Sequence, residues 1–248
     1  SKDRSNACKE KIDLKKEEEK IINLGKNDYK KLILELPKYR AYMLNQPDNP
    51  VAWYLLGKAN LEIQKAIAPT LFDAPRGVPF KPYVSTALSS FKKAIFLDPE
   101  MVKAYYGLVD LNTYYHRFED AYPPMEKIIS LKPDNLQVLL DMLEVCHNLL
   151  LKHPETGTSP SRYNPEFVKK LYEYSTAILK IDPDNLNALS KLSSAYAGAG
   201  EYSKAIAMLR RYQKINQGNE KIQWWIDRYY YLIDPGDPDI ITADVELE

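Results

Sequence analysis

Cysteine and histidine are scarce in this sequence of 248 residues: Cys8 and Cys146 are its only thiols, and His116, His147 and His153 its only imidazoles. Cys8 lies near a charged terminus and Cys146 inside an apolar helical pattern, which argues against a disulfide scaffold and leaves at most a single bridge open. Cys146 and His147 are neighbours, so on a helix they diverge by about 100° and do not chelate a metal together unaided. A buried Cys beside a surface His is the reading adopted. Gly-rich phosphate loops, H-E-x-x-H and paired-Cys motifs are also missing. No catalytic, metal or cofactor site is therefore assigned, and no enzymatic activity is expected. Net charge is absent as well, with Lys+Arg and Asp+Glu at 34 each. That balance gives no reason to expect nucleic acid or an anionic membrane surface as partner. Nor does any apolar run approach the roughly 20 residues of a membrane-spanning helix. The greasiest stretch, 138–151, is broken by Asp141, Glu144 and His147.

The chain opens on Ser1 rather than Met and reads as a processed or truncated product. Its polar opening, Ser1–Glu19, suits the tether that follows a bacterial export or lipidation signal, and equally a cytosolic terminus. An exported, periplasmic or lipid-anchored location is favoured over a cytoplasmic one.

What the sequence does contain is repetition. Leu-Asp-Pro at 97–99, Leu-Lys-Pro-Asp-Asn at 131–135, Ile-Asp-Pro-Asp-Asn at 181–185 and Gln-Pro-Asp-Asn at 46–49 each close a helical pattern. Pro99 and Pro133 are 34 residues apart, and Pro133 and Pro183 are 50 apart, which is one such unit with an insertion of 16. Within the last unit, Leu189, Leu192, Ala195 and Tyr196 recur at helical spacing. Gly198-Ala199-Gly200 then breaks the pattern, and Ala205, Ile206, Leu209, Tyr212 and Ile215 resume it. Each unit is a helix, a tight turn and a second helix.

These residues resemble the tetratricopeptide repeat, whose first helix reads W-x2-L-G-x2-Y and whose second carries a small residue and a closing Pro. Trp53, Leu56 and Gly57 match the first helix of one unit, with Asn60 in the place of Tyr. Ser85–Leu97, with Ala87, Phe91 and Ala94, matches its second helix. Later units offer Tyr105, Leu108, Ala121 and Pro133, then Leu139, Met142 and Pro183, then Leu192, Tyr196, Tyr202 and Ala205. Val109, Leu143 and Ser193 replace the usual Gly, and Leu171 replaces a small residue, so the third unit is expected to open wider. The resemblance implies an all-α, right-handed solenoid of antiparallel helix pairs.

Residues 1–49 are expected to form two N-terminal helices, near 9–24 and 28–44, as a degenerate repeat or cap. Residues 50–219 hold four repeats, with insertions near 65–84 and 151–165 inside the first and third. A capping helix follows at 220–233, then an acidic tail at 234–248 that composition marks as extended or disordered. Pro37 and Pro123-Pro124 are expected to kink their helices or delay their start.

The family's arrangement implies a concave face lined by the first helix of each pair. If Trp53, Leu56 and Gly57 point into the pair, that face carries Tyr54, Lys58 and Leu61. The same phase selects Lys103, Tyr106, Asp110 and Thr113, then Gln137, Leu140, Asp141 and Glu144, then Asn187, Ser190, Lys191 and Ser194. Tyrosines around central acidic groups suit an extended peptide or a basic partner helix; a plain solvated face is the alternative. The positions of the carboxylate clamp known in some family members hold Tyr54, Lys58, Gly107, Gln137 and Asp141, so no clamp is expected. The insertions, rich in Pro and aromatic residues, are a second candidate surface. The third is the helix bearing Trp224, Trp225, Tyr229, Tyr230 and Tyr231, one side of which covers the stack while the rest is open to self-association or to the tail. The function expected is a non-catalytic scaffold or adaptor gripping a protein segment in the groove. The competing expectation is an exported accessory protein that captures a small ligand or serves a transporter or envelope complex.

Overall fold

The computed structural model describes residues 12–67, 82–150 and 164–233. Among these residues there are eleven helices and no strand: α1 Leu14–Asn27, α2 Tyr29–Asn45, α3 Pro50–Ile67, α4 Pro82–Leu97, α5 Val102–Tyr114, α6 Phe118–Leu131, α7 Leu136–Leu150, α8 Pro165–Ile181, α9 Leu186–Gly198, α10 Tyr202–Ile215 and α11 Glu220–Leu232. The fold is all-α and built of antiparallel helix pairs. The chain divides into two compact units, Ser1–Leu131 and Lys132–Glu248.

Polar residues between the helices explain where each one starts. Side-chain oxygens of Asp13, Asp28, Asn164, Asn185 and Asn219 accept backbone N–H bonds in the first turns of α1, α2, α8, α9 and α11, satisfying donors that the helix itself cannot. Pro165 opens α8 at a position where a missing N–H costs nothing. Between α9 and α10 the chain turns through Gly200, whose φ of 81° is left-handed and open to glycine without strain.

The helices α2 and α6 are continuous through Pro37 and Pro123-Pro124, so neither starts late. Pro124 removes the donor that would have met the carbonyl of Asp120. That carbonyl instead accepts from Asn112 Nδ2 of α5 at 3.1 Å, so the lost bond is replaced from the paired helix.

In the first unit, α3 packs most extensively on α4, and α5 on α6. The centre is Phe91, fully buried, with its ring wedged between two helices that carry glycine at the contact. A Cβ built on Gly57 would lie 2.8 Å from the ring, and one on Gly107 2.5 Å from it. Ala87, Ala94 and Ala121 are fully buried in the second helices, where any larger residue would hold the pairs apart. The α3 helix continues to Ile67 and α4 begins at Pro82, so Lys65 and Ser85 belong to helices. The rest of the first insertion, 68–81, lies outside the described residues, as do 151–163, Cys8 and the tail 234–248.

In the second unit α8 packs on both α7 and α9, and α10 on α9 and α11. Met142, Leu143, Cys146 and Leu150 of α7, Leu171 and Ile178 of α8, and Ala188 and Leu189 of α9 are buried. The end of this unit is sealed by Ile222, Ile226 and Tyr229 of α11 against Ala205, Ile206 and Leu209 of α10.

Candidate partner-binding groove

In the first unit α3 and α5 bring four charged side chains together on the face away from their second helices. Lys58 Nζ lies 2.9 Å from Glu62 and 3.5 Å from Asp110, and Lys65 Nζ lies 2.6 Å from Asp110. Burial works against the charge of Lys58, but Glu62 and Asp110 outweigh it and hold its pKa above the ordinary value. Lys58 and Asp110, expected on one face from repeat phase alone, are therefore neighbours. Glu62 and Lys65 complete the cluster; both lie one helical turn beyond Lys58 or Leu61, and continuing the phase along α3 would have found them.

Tyr54 and Leu61 are not open to solvent. Tyr54 is 3% exposed and Leu61 fully buried, because α1 packs directly on α3. The Tyr54 hydroxyl donates to Glu18 of α1, and the Lys103 ammonium of α5 pairs with the same carboxylate. Burial and the Glu18 charge both push the Tyr54 pKa upward. Further along, a Cβ on Gly25 would lie 2.8 Å from Glu62 Cβ, so only glycine lets α1 approach α3 this closely. Nothing in the sequence marked Gly25 or Glu18 for this role, since the contact joins residues 36 and 85 positions apart. Tyr106 is half-buried and Lys103 exposed on α5.

In the second unit the face of α7 and α9 is more open. Gln137, Glu144 and Asn187 are exposed, and Leu140, Asp141, Ser190, Lys191 and Ser194 are half-buried. Gln137 Nε2 donates to Asp141 Oδ1 at 2.9 Å. Lys191 Nζ meets Glu144 Oε2 at 3.1 Å and His147 Nδ1 at 2.9 Å, bridging the two first helices. Since an ammonium can only donate, His147 accepts at Nδ1 and carries its own proton on Nε2. Burial first, and then the Lys191 charge, lower the His147 pKa to about 4, with Glu144 opposing. Burial disfavours the Glu144 carboxylate, but Lys191 outweighs burial and holds its pKa below the ordinary value. His147, read from the sequence as a plain surface residue, thus shares a face with Glu144 and Lys191; it lies one turn beyond Glu144, and the same phase leads to it.

This arrangement can offer a partner carboxylates, ammonium groups and amides on helical spacing. No group of three or more His, Cys, Asp and Glu side chains suited to a metal ion occurs among the described residues, and no described helix is long and apolar enough to cross a membrane.

No family profile matches the chain, and no curated protein sequence matches it. Solved structures do. YrrB, described as a TPR protein with an unusual peptide-binding site, aligns over 86% of this chain and 97% of its own at 15% identity with a TM-score of 0.55. A MamA crystal structure aligns over 84% and 96% at 17% identity, TM-score 0.53. MamA residues 41 to the end from Desulfovibrio magneticus RS-1 align over 82% and 97% at 13% identity, TM-score 0.52. At these identities the likeness is one of fold.

Proposed function

We propose that this chain, an all-α protein of the tetratricopeptide-repeat fold, is a non-catalytic interaction scaffold that holds a segment of another protein along the faces of its first helices. The observation that carries this reading is the Glu144–Lys191–His147 bridge in the second unit. It fixes charged groups from two successive first helices on one face, with Gln137 and Asn187 exposed beside it. Groups held this way lose little freedom when a partner binds, which favours recognition. The peptide-binding site named for YrrB supports the same use of the fold. In the first unit, Lys58, Lys65 and Asp110 are already paired with one another, and Tyr54 is covered by α1. A partner there meets Lys103, Tyr106 and the outer edge of the charged cluster.

The reading is tested with Asn187→Ala combined with Glu144→Lys. Affinity for the native partner is expected to fall by about 2 kcal/mol or more, with the far-ultraviolet helical spectrum unchanged. Undiminished affinity in a folded variant would remove the second-unit face from the binding site.

A further inference from the structure

The helix α11 turns two large aromatic residues to solvent. Ile222, Ile226 and Tyr229 are buried in the core shared with α10, and Trp224 stands roughly 150° around the helix from them. Tyr231, two turns further on, returns to within about 20° of Trp224. Trp224 is 54% exposed and Tyr231 90%. The element that ends a repeat stack ordinarily carries a polar outer face. Gln223 and Asp227 meet that expectation, standing 34 residues after the buried Leu189 and Ser193; Trp224 and Tyr231 do not.

Charge divides on either side of this aromatic stripe. Lys221 and Arg228 lie on one flank, about 60° and 40° from Trp224, and Glu220 and Asp227 on the other, about 40° and 60° from it. All four are exposed. The Arg228 guanidinium lies 5.4 Å over the Trp224 ring, and Trp225 meets the same ring edge to face at 4.8 Å, so the central indole is held in place before a partner arrives. A surface with one basic and one acidic flank carries its own complement. Two copies of α11 side by side and parallel, related by a two-fold axis along the helices, set the basic flank of each against the acidic flank of the other. In register, Trp224 meets its own copy, as does Tyr231. Lys221 then lies beside the other copy's Glu220, and Arg228 beside its Asp227. An antiparallel pair sets like flanks together and is opposed by charge.

We propose that α11 is a homodimerisation surface, on which a second copy of this chain docks through its own α11 in parallel orientation. Charge complementarity selects the second copy, and Trp224 and Tyr231 supply the apolar seam. One helix face is a small interface, so the dimer is weak and depends on concentration. The inference goes beyond the groove reading and uses no contact at Glu144 or Lys191.

Sedimentation velocity of the full chain, carried to about 100 μM, tests it. A monomer–dimer equilibrium is expected, weakened about tenfold or more by Trp224→Ala and unchanged by Glu144→Lys. Lys221→Glu plus Arg228→Glu makes both flanks acidic, and Glu220→Lys plus Asp227→Lys makes both basic. Each double variant should remain monomeric alone, and the two should pair when mixed. If either misfolds by circular dichroism, Tyr231→Cys in a Cys8→Ser background supplies the second measurement. Parallel pairing brings the introduced thiols together and yields a disulfide-linked dimer on mild oxidation, whereas antiparallel pairing about Trp224 holds them about 20 Å apart. A chain monomeric throughout, a dimer indifferent to Trp224→Ala, double variants that dimerise alone as well as the unaltered chain does, or no crosslink through Tyr231→Cys overturns the proposal. Each of these outcomes leaves the groove reading standing.

Discussion

His147 is the residue whose environment has the clearest measurable consequence. Its pKa of about 4 in the fold lies below its ordinary value of 6.5. Between those values the unfolded chain binds a proton that the native chain refuses, so stability is unaffected above about pH 6.5 and falls as pH drops toward 4. With the group partly solvated, the loss between pH 7 and pH 5 should be about 1–2 kcal/mol. Denaturant unfolding at the two pH values measures it, and His147→Asn should flatten the difference. Phe91 supplies the second residue-scale prediction. Alanine in place of a helical glycine ordinarily stabilises by about 1 kcal/mol, yet the Cβ of Gly107→Ala would lie 2.5 Å from the Phe91 ring. Gly107→Ala should therefore cost about 1–3 kcal/mol by overpacking, and Phe91→Leu should recover part of that loss in the double variant. Asp110 adds a constraint on variants of the groove. Because it pairs with Lys65 at 2.6 Å, reversing its charge also sets two ammonium groups against each other, and Asp110→Asn is the gentler probe of binding.

At the scale of helices, the second members of the pairs tolerate no bulk. Ala121 and Ala205 are fully buried, so Ala121→Leu and Ala205→Leu should each cost about 1–3 kcal/mol, read as a lowered melting temperature. At the end of the stack, Asn219→Ala removes the cap of α11 and should cost about 1 kcal/mol, with tryptophan fluorescence reporting the fraying through Trp224 and Trp225. How far the helices could be read beforehand depended on whether the signal was local. The period of Leu189, Leu192 and Tyr196, and the Pro-Asp-Asn strings before α7 and α9, are local signals; the helices expected at 28–44, 85–97 and 220–233 fall within three residues of α2, α4 and α11, whereas α1 begins at Leu14 rather than near residue 9. That α6 does not start late at Pro123-Pro124 could not be read locally, because the remedy, Asn112 bonding the freed carbonyl of Asp120, comes from the neighbouring helix. The cover of α1 over Tyr54 was hidden for a related reason. It depends on Gly25 and Glu18, which look like unremarkable members of a charged helix until α3 and α5 lie beside them.

For the molecule as a whole, the account rests on one division of labour: second helices and inward faces hold the pairs together, and the outward faces of first helices meet the partner. Phase alone selected Lys58, Asp110, Glu144 and Lys191, and the structure pairs Lys58 with Asp110 and Glu144 with Lys191, whereas the degree of exposure at Tyr54 could not be read from phase, because it is set by a helix outside the four recognised repeats. The most direct test places a photo-crosslinking amino acid, one at a time, at exposed first-helix positions Gln137 and Asn187 and at exposed second-helix positions Glu173 and Lys204, in the protein's native cells. The account predicts that Gln137 and Asn187 trap the same partner and that Glu173 and Lys204 do not. Equal trapping from all four positions, or trapping from the second helices alone, would contradict it.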